Sequence, residues 1–140
     1  MKIKTKELID AQLDWAVAQI EQVAVVAWIH DDQKAYSVIR KESFIDKDSR
    51  RTYPDTEAQF YPSVNWLAGG EIIDREEISI AREFNTEITW CRWSAWTPAP
   101  IRDEAKAFGY GSTPLIAAMR CHVANHYGDE IEIPDELVWK

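Results

Sequence analysis

Ser112-Thr113-Pro114-Leu115-Ile116-Ala117-Ala118-Met119-Arg120-Cys121-His122-Val123-Ala124, followed by Gly128, is the stretch on which the fold reading turns. Ser112 or Thr113 can accept from the open amides of a first helical turn. Pro114 stands where its missing amide costs nothing, and Gly128 where a helix stops. Nothing else in the chain announces a helix so clearly. A second one is expected over 10–22, with Asp10 as N-cap and Leu13, Ala16, Val17 and Ile20 forming one apolar stripe. Strands are expected over 23–29, a β-branched apolar run, and over 35–40, joined by the polar turn Asp31-Asp32-Gln33-Lys34 into a hairpin. The segment 41–60 is charged and poorly patterned and is expected as a mobile loop. Over 86–96, Ile88, Trp90 and Arg92 alternate with Thr89, Cys91 and Trp93, which predicts a strand with both faces covered; Pro98 and Pro100 end it. Ile131-Glu132-Ile133 can add a short last strand. With no internal repeat, these elements predict one α+β domain over 1–140, a small, mostly antiparallel sheet packed by two helices.

The bulk properties set limits. The chain has 140 residues, 46% of them hydrophobic and seven of them tryptophan, enough for one real core. Sixteen basic residues against twenty-four acidic ones leave a net charge of −8. That field opposes nonspecific nucleic-acid binding, which draws its affinity from cations on phosphates. No stretch approaches the ~20 apolar residues of a membrane helix, and the N-terminal lysines lead into no apolar run. A soluble protein of the cytoplasm is expected. Cys91 and Cys121 then read as two buried thiols.

One segment asks for more than a connection. Tyr61-Pro62-Ser63-Val64-Asn65-Trp66-Leu67-Ala68-Gly69-Gly70, running on to Arg75, combines two aromatic faces, an amide and a Gly-Gly pair. It is expected as a shaped loop of a binding site. Asn65 offers a donor and an acceptor, Tyr61 and Trp66 offer stacking faces, and Ser63 adds a hydroxyl. Gly69 and Gly70 permit close approach or positive φ, and Arg75 can grip a phosphate through two bonds. The bland reading is that Trp66 plugs the core, Asn65 caps a turn and the glycines bend the chain. Ser112 and Thr113, at a helix start, can hold an anion but can equally serve as ordinary caps.

The blocks 61–75 and Tyr110-Gly111-Ser112-Thr113-Pro114-Leu115-Ile116-Ala117-Ala118-Met119-Arg120-Cys121 resemble the NinX-like family of small phage and prophage proteins. Leu13-Asp14-Trp15-Ala16-Val17-Ala18 and Gly128-Asp129-Glu130-Ile131-Glu132-Ile133-Pro134 are similar to it as well, so the likeness spans nearly the whole chain. The charged run 46–51 and Leu67, where the family tends to be polar, depart from the pattern. The resemblance implies a phage accessory protein that acts on its host by binding, an analogy that carries no chemistry of its own.

Catalytic signals are sparse. His122 and His126 share a helix face at metal-ligand spacing, but Val123 stands where a zinc peptidase has Glu, and no third ligand follows. No nucleophile elbow is present. The expected activity is therefore non-catalytic binding of a nucleotide-like small molecule, sequestering a host defence signal or cofactor, with no resident cofactor or metal. The ligand residues would be Tyr61, Ser63, Asn65, Trp66, Gly69 and Gly70, with Ser112 and Thr113 beside them. Arg75, Arg92 and Arg120 would meet phosphate. Trp90, Trp93 and Trp96 on one strand point to a homo-oligomer. The alternative is an acidic inhibitor or DNA mimic that covers a basic host protein; a nucleotide-processing enzyme ranks below both.

Overall fold

A computed structural model describes residues 1–23, 25–30, 35–45, 52–84, 92–98 and 107–138, and main-chain pairing among these residues forms three separate antiparallel sheets. Strand β1 (Lys2–Lys4) leads through a one-turn 3-10 helix (Thr5–Glu7) into helix α1 (Asp10–Ile20). Strands β2 (Val25–His30), β3 (Ala35–Ile45) and β4 (Thr52–Gln59) form a meander. Helix α2 (Trp66–Arg75) and strands β5 (Ser79–Arg82), β6 (Trp93–Trp96) and β7 (Phe108–Gly111) follow, the three strands pairing in that order. Helix α3 (Pro114–Tyr127) and strand β8 (Glu130–Glu132), which pairs with β1, are followed by a last 3-10 turn (Asp135–Leu137). The architecture is α+β, with all pairings antiparallel.

Helix α3 is the central packing element for the second half of the chain and for α1, while β2 and β3 pack against α1. It packs against β5, β6 and β7 and also against α1 and α2. Leu115, Ala117, Ala118, Met119, Cys121, His122 and Val123 are all buried, so the helix is enclosed on most of its circumference. This is why its sequence shows no polar stripe through its middle turns. The small residues let neighbours come close. A Cβ on Gly109 would overlap the backbone of Ala117 and Cys121, and one on Gly111 would lie 2.8 Å from the Ala117 nitrogen. Strand β7 therefore rests on α3 backbone to backbone, and only glycine at 109 and 111 permits it. Leu8, Leu13, Val17, Ile72, Ile78, Ala95, Ile131 and Ile133 fill the remaining core.

The helix ends follow the expected chemistry at α3 and depart from it at α1. Thr113 Oγ1 accepts from the Ile116 amide at 3.2 Å, Pro114 occupies the first turn, and Gly128 ends the helix at a φ of 77°. Helix α1 begins at Asp10, which is not its cap. Ile9 holds that position, Asp10 has a φ of 45°, and the Gln12 Oε1 accepts the Ile9 amide at 3.4 Å. A side chain three residues into the helix thus satisfies the amide of the cap residue, while no side chain among the described residues accepts from the first turn as expected of Asp10.

Two further expectations are corrected. The segment 41–60 is not a loop over its described length, since β3 continues to Ile45 and β4 spans Thr52–Gln59. Charge obscured these strands, yet a main-chain ladder does not forbid charged side chains. The Gly-bearing stretch also contains a third helix, α2, rather than a presented loop. The strand expected over 86–96 is seen as β6 only at Trp93–Trp96, and Cys91 and Trp90 lie outside the described residues. Thr97 closes it by exchanging bonds with Ala107, its amide donating to the carbonyl and its Oγ1 accepting, both at 3.2 Å.

Gly109→Ala is expected to cost about 3 kcal/mol or more, because overpacked backbone cannot step aside as a flexible side chain can. Gly70→Ala, within α2 and with nothing inside 4 Å of an added methyl, should stabilise the protein by about 0.5–1 kcal/mol through helix propensity. Urea unfolding of the two variants beside the parent checks the pair.

Candidate functional site

The turn that precedes α2 is built from the inside. The Tyr61 carbonyl accepts from the amides of Val64 at 3.1 Å and Asn65 at 2.9 Å, while Pro62 and Ser63 are buried. The Ser63 amide donates to Asp14 Oδ1 at 2.9 Å, joining the turn to the middle of α1. Burial pushes the Asp14 carboxyl up to about 7, against the pull of the Ser63 bonds. Asn65 Oδ1 accepts from the Leu67 amide at 2.9 Å and so starts the helix. Gly69 lies where a Cβ would stand 2.5 Å from the Pro62 carbonyl oxygen and 2.6 Å from Leu115 Cδ2. Among the described residues the one glycine with positive φ is Gly128, so neither Gly69 nor Gly70 makes a left-handed turn; Gly69 serves close helical packing, and Gly70 faces open space. Tyr61 is half-buried, and Trp66 is exposed rather than a core plug.

The arginines have separate duties. Arg75 Nη1 and Nη2 donate to Glu21 Oε2 and Oε1 at 2.9 and 2.5 Å, and its Nε donates to Glu76 at 3.0 Å. Glu21 Oε1 also lies 3.0 Å from Nε2 of the fully buried His122. One carboxylate thereby joins the ends of α1 and α2 to the middle of α3. Burial alone would raise the Glu21 pKa, but the bonds from Arg75 and His122 hold it below the ordinary value. Burial lowers His122 below the usual imidazole value, more than Glu21 lifts it, so at neutral pH the ring is uncharged and Nε2–H donates. The His126 ring stands edge-on to it, centroids 4.9 Å apart. Among the described residues no three His, Cys, Asp or Glu groups are placed to share a metal ion. Cys121 is buried, its Sγ donating to the Ala107 carbonyl, and desolvation pushes the thiol up to about 12. Arg120, also buried, donates from Nε to the Leu8 carbonyl at 2.9 Å and from Nη1 to that of Tyr110 at 2.7 Å. Arg92 is exposed at the bend before β6, where its carbonyl accepts from Glu83.

Three of the sequence-predicted residues do meet. Ser63, Ser112 and Arg120 line one groove of about 660 Å³, together with Lys6, Asp10, Val64 and Ile116. A second groove, about 720 Å³, opens on the other side of Lys6. Its walls include Lys4, Phe108, Tyr110 and Asn125, with Asp129 and Glu130 along the edge. Phe108 and Tyr110 alternate with the two glycines of β7, so the glycines face α3 and both aromatic rings are left exposed. The 3-10 turn that carries Lys6 is pinned opposite them, Thr5 donating to the carbonyls of Gly128 and Asp129 at 2.9 and 2.8 Å. Sequence reading missed Lys4, Lys6, Phe108, Tyr110 and Asn125 as site residues. The alternation Phe108-Gly109-Tyr110-Gly111 was the available signal, a period of two that sorts flat faces from close-packing positions.

The family described as Bacteriophage P22, NinX matches residues 4–126. The chain belongs to the NinX family. The match takes in both lysines, β7 and α3 up to His126, and stops short of β8. No curated protein matches the chain. Among the described residues no helix is long and apolar enough to cross a membrane.

Two substitutions test the internal electrostatics. The Asp14 pKa is raised in the folded state, so its stabilising effect is full below about 3.8 and is lost as pH rises through about 7. Asp14→Asn keeps the acceptor for Ser63, and its melting temperature relative to the parent should climb between pH 4 and pH 8. A constant difference across that range would show that the carboxyl is not desolvated. Glu21→Gln should cost about 2 kcal/mol at pH 7, because Arg75 and His122 lose the carboxylate they share, as read by chemical denaturation.

Proposed function

We propose that this NinX-family protein binds a nucleotide-like small molecule without transforming it, in the groove between β7 and the 3-10 turn. The observation that carries the reading is the meeting of Phe108, Tyr110, Lys4, Lys6 and Asn125 around one groove of about 720 Å³. Pockets for small ligands run from about 300 to 1,000 Å³, so a nucleotide has room. The exposed rings of Phe108 and Tyr110 supply stacking faces, worth about 1–3 kcal/mol per base. Asn125 can pair with an amide-like base edge, since its side chain carries both a donor and an acceptor. Lys4 and Lys6 supply positive charge for phosphate within an otherwise acidic chain. The carboxylates of Asp129 and Glu130 favour the end of the ligand that carries hydroxyls over the end that carries phosphate. The role that follows is sequestration of a host signal or cofactor in the cytoplasm of the infected cell.

This reading moves the ligand away from the segment 61–70. Asn65 and Gly69 already have structural partners, and Arg75 is committed to Glu21 and Glu76. Ser112 and Arg120 lie in the neighbouring groove, which meets the first at Lys6. A phosphate at Lys6 would therefore lie near both.

Isothermal titration with AMP, ATP, NAD and a dinucleotide should give saturable heat with at least one of them. Phe108→Ala should weaken it about 10-fold and Lys6→Ala by a similar factor, each near 1.4 kcal/mol. The ligand should be recovered chemically unchanged. Absence of both heat and thermal shift for the whole panel at about 1 mM, where even a millimolar complex half-fills, would sink the proposal.

A further inference from the structure

We infer that the apolar ridge of Ile9, Val64, Trp66 and Leu67 docks a basic segment of a partner protein, nonpolar side chains covering the ridge and Lys or Arg side chains meeting its acidic rim. Large apolar side chains are open to solvent here to an unusual degree: Leu67 is 79% exposed, Val64 63%, Trp66 56% and Ile9 45%. Ile9 and Val64 line one groove, and Trp66 and Leu67 follow Val64 at the start of α2. The four thus lie in one region of the surface, and a cluster of exposed apolar side chains marks an interaction site. An exposed tryptophan beside aliphatic residues is also the composition of an interface centre.

The ridge is held in place before any partner arrives. Asn65 caps α2 between Val64 and Trp66, and the buried Ser63 anchors the turn to Asp14. Little ordering entropy is then left for association to overcome.

Charge decides the occupant. Glu7 and Asp10 line the groove beside Ile9 and Val64, and Glu71 stands one helical turn beyond Leu67, exposed. Of the cations at the same groove, Arg120 points its bonds inward to the carbonyls of Leu8 and Tyr110, which leaves Lys6 as the lone exposed cation among the groove's lining residues. A second copy of the chain would bring two such rims together, each on a molecule of net charge −8, and like charges across an interface suppress pairing. A basic segment with apolar side chains satisfies both the ridge and the rim.

The test places a photo-crosslinking benzoylphenylalanine at Leu67, and as a control at Tyr127, in the full chain expressed in bacterial cells. The expected result is a crosslink from position 67 and not from 127, to a peptide in which apolar residues are flanked by Lys or Arg. Trp66→Ala and the double variant Glu7→Lys, Asp10→Lys should each reduce the yield about 10-fold while the circular dichroism spectrum and melting temperature hold. A crosslink to a second copy of the chain, one to an acidic or uncharged peptide, or none above the control overturns the proposal. So does a yield that the charge-reversed variant leaves unchanged.

Discussion

The fold depends on how closely β7 approaches α3. With Gly109 and Gly111 against the backbone of Ala117 and Cys121, strand and helix are fixed relative to each other with no side-chain layer to adjust between them. Two consequences reach the surface. The alternate residues of β7, Phe108 and Tyr110, are forced outward on a rigid strand, which is how flat apolar faces come to line a groove. Arg120, on the same helix, can reach the Tyr110 carbonyl and the Leu8 carbonyl together, tying β7 to the segment before α1.

Charge is distributed in a second pattern. Buried polar groups are matched locally: Asp14 to the Ser63 amide, Glu21 to Arg75 and His122, Gln12 to the Leu137 carbonyl at 2.8 Å. These pairs brace helix ends and turns; among the described residues His122 Nδ1 is the buried side-chain polar atom left without a hydrogen-bond partner. The cations that line the larger groove are instead the lysines of the first strand and turn, held on short rigid backbone. Asp129 and Glu130 line the same groove, so both signs of charge meet there in a chain of net charge −8.

How much of this was legible follows from where the determining information lies. Helix α3 was readable because its cap, proline and terminal glycine are local signals, and α1 because of its apolar stripe. The cap of α1 was misplaced: Gln12 acts from inside the helix, and nothing in sequence distinguishes that from Asp10 acting at its start. Strands within 41–60 were hidden because charge masks periodicity while main-chain pairing does not depend on it. The aromatic-Gly segment had the composition of a site and the local physics of a helix start; the cap at Asn65 decides between them, and only the backbone shows it. The larger groove was illegible because residues 4–6, 108–110 and 125–130 meet through tertiary contacts alone.

That last juxtaposition has a bearing on when the groove can form. Strand β1 finds its partner in β8, so Lys2 waits for Glu132 and Lys4 for Glu130. On a ribosome β1 emerges well before β8, and it stays without this neighbour until β8 has been made. The helices can form locally in the meantime, whereas closure of the ribbon must await the far end of the sequence. The groove lined by Lys4 and Lys6 therefore cannot take its final form before β8 has been made.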